Sequence, residues 1–278
     1  MTAKSVLLGA AVIAGGLIAR CPAAEAQSPA LSPALLGTSL ERARPDEHPL
    51  MPALRWAERG LPQLEKIKDY SAILVKRELV GKGVIGPEYL YLKIRHQPFS
   101  VYTKFLAPAS LKGQEAIYVE GQNNGKVVGH LPGAGAGLFG AVPLRPDSVI
   151  AMIGQRYPVT EIGMVNLIRR IVDVARQEIP YGECESKIFH GAKINDRTCT
   201  WLQVVHPVAR RHFHFHLARI FVDDQLNLPI RFECYDWPKR PGDEPGLMEE
   251  YTYLDVKLNN GFTDEDFSVK NPAYHYRY

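Results

Sequence analysis

The stretch RRHFHFHLARIFVDD, starting at Arg210, carries His212, His214 and His216 at alternate positions, with Phe213 and Phe215 between them. On a β-strand alternate side chains point the same way, about 6.5 to 7 Å apart, so two such imidazoles could reach one zinc. A third ligand would come from another strand. His206 is the candidate neighbour: if PVAR makes the connection, it would lie opposite His212. A metal-dependent hydrolase is the chemistry this would serve, but a catalytic zinc also needs a second shell, an open position and a general base. No HExxH, no carboxylate at fixed spacing and no Cys pair accompanies the stretch. Phe213, Phe215, Leu217 and Phe221 form one stripe, and the histidines share the other with Ala218, Ile220 and Val222. The segment is therefore read first as a strand with a structural histidine face. A zinc site of His212, His214 and His216 is the alternative.

Other reactive side chains are more isolated. Glu249 and Glu250 look like paired carboxylates, but adjacent strand residues face opposite sides and cannot act on one substrate. Cys199 with any of the nine histidines has no spacing to support a nucleophile and base. The segment PGAGAGLFGAVP from Pro132 lacks the lysine of a phosphate loop and reads as a flexible loop or flap. The tail AYHYRY reads as terminal packing. No catalytic residue is assigned.

Lys4 in MTAK supplies a cationic start, Ser5 to Ala19 an apolar run, and Ala24 and Ala26 the small residues of a cleavage site. This is the pattern of a secretory signal occupying residues 1–26. The run is shorter than the roughly 20 residues a membrane-crossing helix needs, which disfavours an uncleaved anchor. A periplasmic or secreted protein is expected. Cys184, Cys199 and Cys234 then remain, enough for at most one internal disulfide, and buried free thiols are the equal alternative. The net charge of +3 and the lack of a basic run argue against a nucleic-acid partner.

From Gln27 to Pro52 a Pro-, Ser- and Ala-rich text reads as a linker. Leu54, Ala57, Leu61, Leu64 and Ile67 then recur at helical spacing, with Gly60 and Pro62 expected to split the segment into two short helices. SAILVKREL, EYLYLKIRH, FSVYTKFL, EAIYVEG and KVVGHL follow, too closely spaced for parallel crossovers. TEIGMVNLIRRIVDVARQ reads as an amphipathic helix capped by Thr160. Five further strands end the chain: ESKIFHGAKI, CTWLQVVH, HFHFHLARIFV, LPIRFECYDW and LMEEYTYLDVKL. Residues 53–278 are read as one α+β domain of about ten strands and one or two helical regions.

That order is similar to the periplasmic lipoprotein carriers of the LolA and LolB type. RIFVDDQLNLPIRFECYDW and YTYLDVKLNNGFTDEDFSV resemble two recurring phrases of that superfamily. In physical terms, Asp223 and Asp224 supply acceptors for a turn, while Asn259, Asn260 and Gly261 tolerate positive φ. KDYSAILVKRE, PFSVYTKFL and RYPVTEIGMVNLI resemble an uncharacterised secreted bacterial family. The resemblance implies a strongly curved antiparallel sheet, an unclosed barrel with helices over its concave face. It also implies an exported, non-catalytic protein binding a lipid or lipoprotein acyl chain there. A scaffold module binding an envelope protein is a further alternative.

Overall fold

A computed structural model describes residues 44–130 and 140–276 of the chain. The signal segment, most of the linker and most of the glycine-rich segment lie outside the described residues. Helix α1 spans Met51–Leu64, and strands β1 to β6 follow: Asp69–Val80, Gly83–Arg95, Ser100–Ala107, Glu115–Val119, Val127–His130 and Ala141–Leu144. Helix α2 spans Met164–Glu178. Strands β7 to β11 are Glu185–Ile194, Arg197–Val205, Leu217–Asp223, Pro229–Tyr235 and Leu247–Leu258. All eleven belong to one antiparallel sheet in the order β6-β5-β4-β3-β2-β1-β11-β10-β9-β8-β7. The first and last strands pair at its centre, and β6 and β7 are separate edges. The expected α+β curved sheet, not closed into a barrel, is what the chain forms, with one strand more than counted from the sequence.

Both helices pack on one face. Tyr70, Ala72 and Leu74 of β1, Leu90, Leu92 and Ile94 of β2, Leu202 and Val204 of β8, and Ile220 and Val222 of β9 line it. α2 contributes Met164, Val165, Ile168, Val172 and Ala175, the stripe expected of an amphipathic helix. Each Val, Leu, Ile or Met among them contributes about 1.5 to 3 kcal/mol on full burial. The two helices meet along exposed ion pairs, Glu58 with Arg176 at 2.7 Å and Glu65 with Arg169 at 2.6 Å.

Two helix expectations are corrected. α1 runs unbroken through Gly60 and Pro62. Pro62 sits in the last turn, where its missing N–H costs only one backbone bond of a helix already held by its buried stripe. Thr160 is not the cap of α2: Val159–Glu161 form a separate 3-10 turn, and the helix starts after Gly163 at φ +114°. A Cβ on Gly163 would lie 3.1 Å from Ile94 Cδ1 and from Tyr70 Oη. The buried Tyr70 hydroxyl accepts the Met164 N–H at 3.0 Å, replacing the missing side-chain cap.

The opposite face is covered at β2 to β5 by the C-terminal tail. Tyr274 stacks on Tyr102 with ring centroids 4.0 Å apart, and Tyr276 donates to the Val128 carbonyl. The expected terminal packing is thus present as far as Tyr276. Asn259 and Gly261 adopt the positive φ expected of their turn, and Asp223 accepts the Gln225 and Leu226 N–H groups. Cys184, Cys199 and Cys234 are free thiols, the last two buried.

Candidate functional site

Along β1 the residues facing the helices change character from Tyr70, Ala72 and Leu74 to Lys76 and Glu78. The sheet register continues the change on both neighbours. Leu74 pairs with Leu90 and Tyr253, Lys76 with Glu88 and Tyr251, and Glu78 with Glu249. The helices cover the apolar half of this face, and a cluster of buried charges occupies the other. Lys76 Nζ lies 2.9 Å from Glu78 Oε2 and 3.0 Å from Glu88 Oε2, and Tyr251 donates to Glu78 at 2.6 Å. Lys76, Glu78, Glu88 and Glu249 are all buried.

The loop 145–158, between β6 and α2, closes this end. Gln155 accepts from Lys76 Nζ at 2.7 Å, and the Arg156 N–H donates to Glu78 at 3.0 Å. The Arg156 guanidinium lies 3.2 Å from Glu249 and donates to the Leu79 carbonyl at 3.3 Å. Three carboxylates therefore share Lys76, Arg156 and the Tyr251 hydroxyl, which is the pairing buried charges need. Burial and the neighbouring carboxylates push the Tyr251 and Tyr157 phenols well above their ordinary range, so both act as hydroxyl donors. Just before the inserted residues the same loop holds Val149, Ile150 and Ile153 out in solvent, at 85, 65 and 71% exposure.

Glu249 and Glu250 do face opposite sides. Glu249 belongs to this cluster, whereas Glu250 lies on the outer face with Arg231, at 2.8 Å. Arg231 also holds Glu233 at 2.9 Å and donates to Thr252 at 2.9 Å. These side chains floor an open groove of about 520 Å³ walled by Val75, Phe221 and Leu254, with the β7–β8 turn overhanging it at Lys193 and Asn195. A smaller concavity of about 220 Å³ lies beside the same turn, near Arg197 and Asp223.

The strand expected over residues 212–222 begins only at Leu217. His212, His214 and His216 lie in the preceding connection. Backbone pairing with the neighbouring strands stops at His216, whose N–H donates to the Tyr235 carbonyl at 2.9 Å, so the alternating text before it is not part of the sheet. His212 stacks on Tyr181 at 3.7 Å, His214 is exposed, and the His216 ring contacts the His206 carbonyl at 2.9 Å. His206 lies opposite His216, whose carbonyl accepts its N–H at 2.7 Å, and not opposite His212. Among the described residues no group of three or more His, Cys, Asp or Glu side chains is placed to hold a metal ion.

Sequence reasoning missed the charge cluster and one more buried pair, Glu178 with His206. The first was within reach of strand periodicity, because Lys76 and Glu78 stand at the same parity as Leu74. The second had no local signal. Among the described residues no helix is long and apolar enough to cross a membrane.

Comparison with known proteins places residues 67–276 in the family described as protein of unknown function (DUF1571), and the chain belongs to that family. No curated protein matches it. Similar solved structures include the lipoprotein LppX of Mycobacterium tuberculosis, at 12% identity and TM-score 0.42, covering 77% of this chain and 98% of that one. A DUF1329 family protein from Desulfovibrio piger matches at 12% identity and TM-score 0.39, covering 79% and 97%. A LolA superfamily protein from Nitrosomonas europaea matches at 13% identity and TM-score 0.30, covering 76% and 97%.

Proposed function

We propose that this protein is an exported, non-catalytic envelope protein that binds an apolar ligand, a lipid or the acyl chain of a lipoprotein, on the helix-covered face of its sheet. The observation that carries the reading is the loop 145–158. It closes the charged end of that face through Gln155 and Arg156 while exposing Val149, Ile150 and Ile153 to water. Clustered exposed aliphatic side chains mark a surface that meets an apolar partner. In this reading the loop is the gate, and α1 and α2, whose buried stripes fill the apolar half of the face, swing off the sheet for it to receive the chain. Each methylene removed from water would contribute about 0.8 kcal/mol. The N-terminal signal pattern supports export, and the partner follows from the ligand: a lipid or lipoprotein of the envelope.

Native mass spectrometry of the mature protein purified from its own envelope compartment tests this. The expected result is excess mass that organic solvent extracts and that a fluorescent fatty acid displaces. Protein of bare polypeptide mass that also fails to bind the fatty-acid probe would overturn the proposal.

A further inference from the structure

The buried stripe of α2 ends on a carboxyl. Glu178, 2% exposed, follows Val172 and Ala175 on the face turned to the sheet, and it meets His206, 0% exposed, at the end of β8. His206 Nε2 lies 3.4 Å from Glu178 Oε2, while His206 Nε2 and Glu178 Oε1 have no hydrogen-bond partner. The imidazole tautomer follows from its other nitrogen. Nδ1 lies 3.0 Å from the Phe215 carbonyl, which can only accept, so Nδ1 carries the hydrogen and Nε2 presents a lone pair. Nε2 then needs a donor, and the carboxyl beside it is that of Glu178.

We propose that Glu178 and His206 form a proton-sharing clamp that fastens the C-terminal end of α2 to β8 and releases it when the proton leaves. In the closed state the Glu178 carboxyl keeps its proton and donates to Nε2. When the proton passes to solvent, a buried carboxylate faces an imidazole lone pair, and the end of α2 is pushed from the sheet. Phe213 stacks on His206 at 4.0 Å and Phe215 meets it edge-on, so little water reaches the pair.

The surroundings set the direction of titration. Desolvation raises the Glu178 carboxyl to about 7, against a lowering contribution from the His214 N–H. Desolvation also lowers His206, with His212, His216 and His48 adding to it. Burial thus favours the neutral pair over an ion pair. The other titratable groups facing the clamp come from three elements. His48 of the segment before α1 lies 3.8 Å from Cys184, whose thiol is pushed up to about 11 by burial, Glu178 and Glu185. Tyr181 stacks on His212 beside them. None supplies a fixed positive charge that would hold Glu178 ionised.

The clamp goes beyond lipid binding and stands without it, although α2 also covers the proposed ligand face. Amide hydrogen exchange over residues 172–179 tests it, corrected for the intrinsic pH dependence of exchange. Protection is expected to fall about tenfold or more between roughly pH 6 and 8.5 in the native protein and to stay flat in Glu178→Gln. Equal pH dependence in both proteins would overturn it. The carboxyl ¹³C shift of Glu178 in the unsubstituted protein decides the matter even if the variant fails to fold. A midpoint about 7 supports the clamp, and one at the ordinary 4.5 ends it. Neither reading depends on a bound lipid, so failure here leaves the ligand proposal standing, and the reverse.

Discussion

Lys76 Nζ sits 2.9 Å from Glu78 Oε2, two residues along the same strand and on the same buried face, at the point where that face stops being apolar. The ammonium also faces Glu88 at 3.0 Å and Gln155 at 2.7 Å, so it joins two strands to the loop that closes the sheet end. Replacing it by Met leaves carboxylates buried with too few partners. Lys76→Met is expected to cost about 3 to 5 kcal/mol in chemical denaturation, and the double variant Lys76→Met with Glu88→Leu should recover much of it. A loss under about 1 kcal/mol would mean that water already reaches the cluster.

The exposed aliphatic side chains of the same loop should behave oppositely. Val149, Ile150 and Ile153 bury too little to matter for folding. Changing all three to Ser should shift stability by no more than about 0.5 kcal/mol per site. If the loop is the gate, the triple variant should lose binding of a fluorescent fatty acid at least about tenfold, which is about 1.4 kcal/mol. Unchanged probe binding by a stable triple variant would remove the loop from the proposed function.

For Glu178 the folded carboxyl is raised from 4.5 to about 7. A raised carboxyl contributes stability that is fully present below about pH 4.5 and lost as pH climbs through about 7. The cost accumulated over that window is about 3 kcal/mol. Other groups slope the opposite way, since Asp223 and Asp266 are lowered by Arg197 and Lys93 and lose stability in acid. The difference between the native protein and Glu178→Gln isolates the one carboxyl. The native protein should lose ground to the variant from about pH 5 to pH 8 in paired urea melts. A constant difference would contradict the raised carboxyl.

These three sites show what kind of information a strand or helix pattern carries. The text SAILVKREL marks β1, and a period of two along it puts Lys76 and Glu78 on the face of Leu74. It did not say that the face stays buried there, because Gln155 and Arg156 arrive from a loop remote in sequence. The HFHFH text has the same period, but its pairing with neighbours stops at His216, so the alternation from His212 to Phe215 has no strand to serve. Alternation fixes which residues would share a face if a strand formed. Only a partner strand makes it one. β6 was invisible for the converse reason: Ala141–Leu144 has glycine before it and Pro143 within it, yet β5 supplies a partner. The cap of α2 was misplaced because Tyr70, from β1, does what Thr160 could have done locally. Tertiary donors and acceptors outrank local capping preferences when they are buried and already aimed.

Asp69 makes the clearest remote contact of this kind. From the start of β1 its carboxylate accepts the N–H groups of Asn260 at 2.5 Å, Gly261 at 3.1 Å and Phe262 at 3.1 Å. Those three donors turn the chain out of β11 and send the tail over Tyr102 and Val128 on the outer face. Asp69→Ala leaves them without an acceptor where Asp69 itself is buried, a cost of about 1 to 3 kcal/mol for each donor that water does not reach. The second core around Phe267 and Tyr276 then loses its anchor while the helix-covered core keeps its contacts. Limited proteolysis should therefore cut the variant first between Phe262 and Tyr276, at protease levels that leave the native tail intact. Cleavage starting instead in α1 or α2 would mean that the two cores unfold as one unit and that Asp69 holds both.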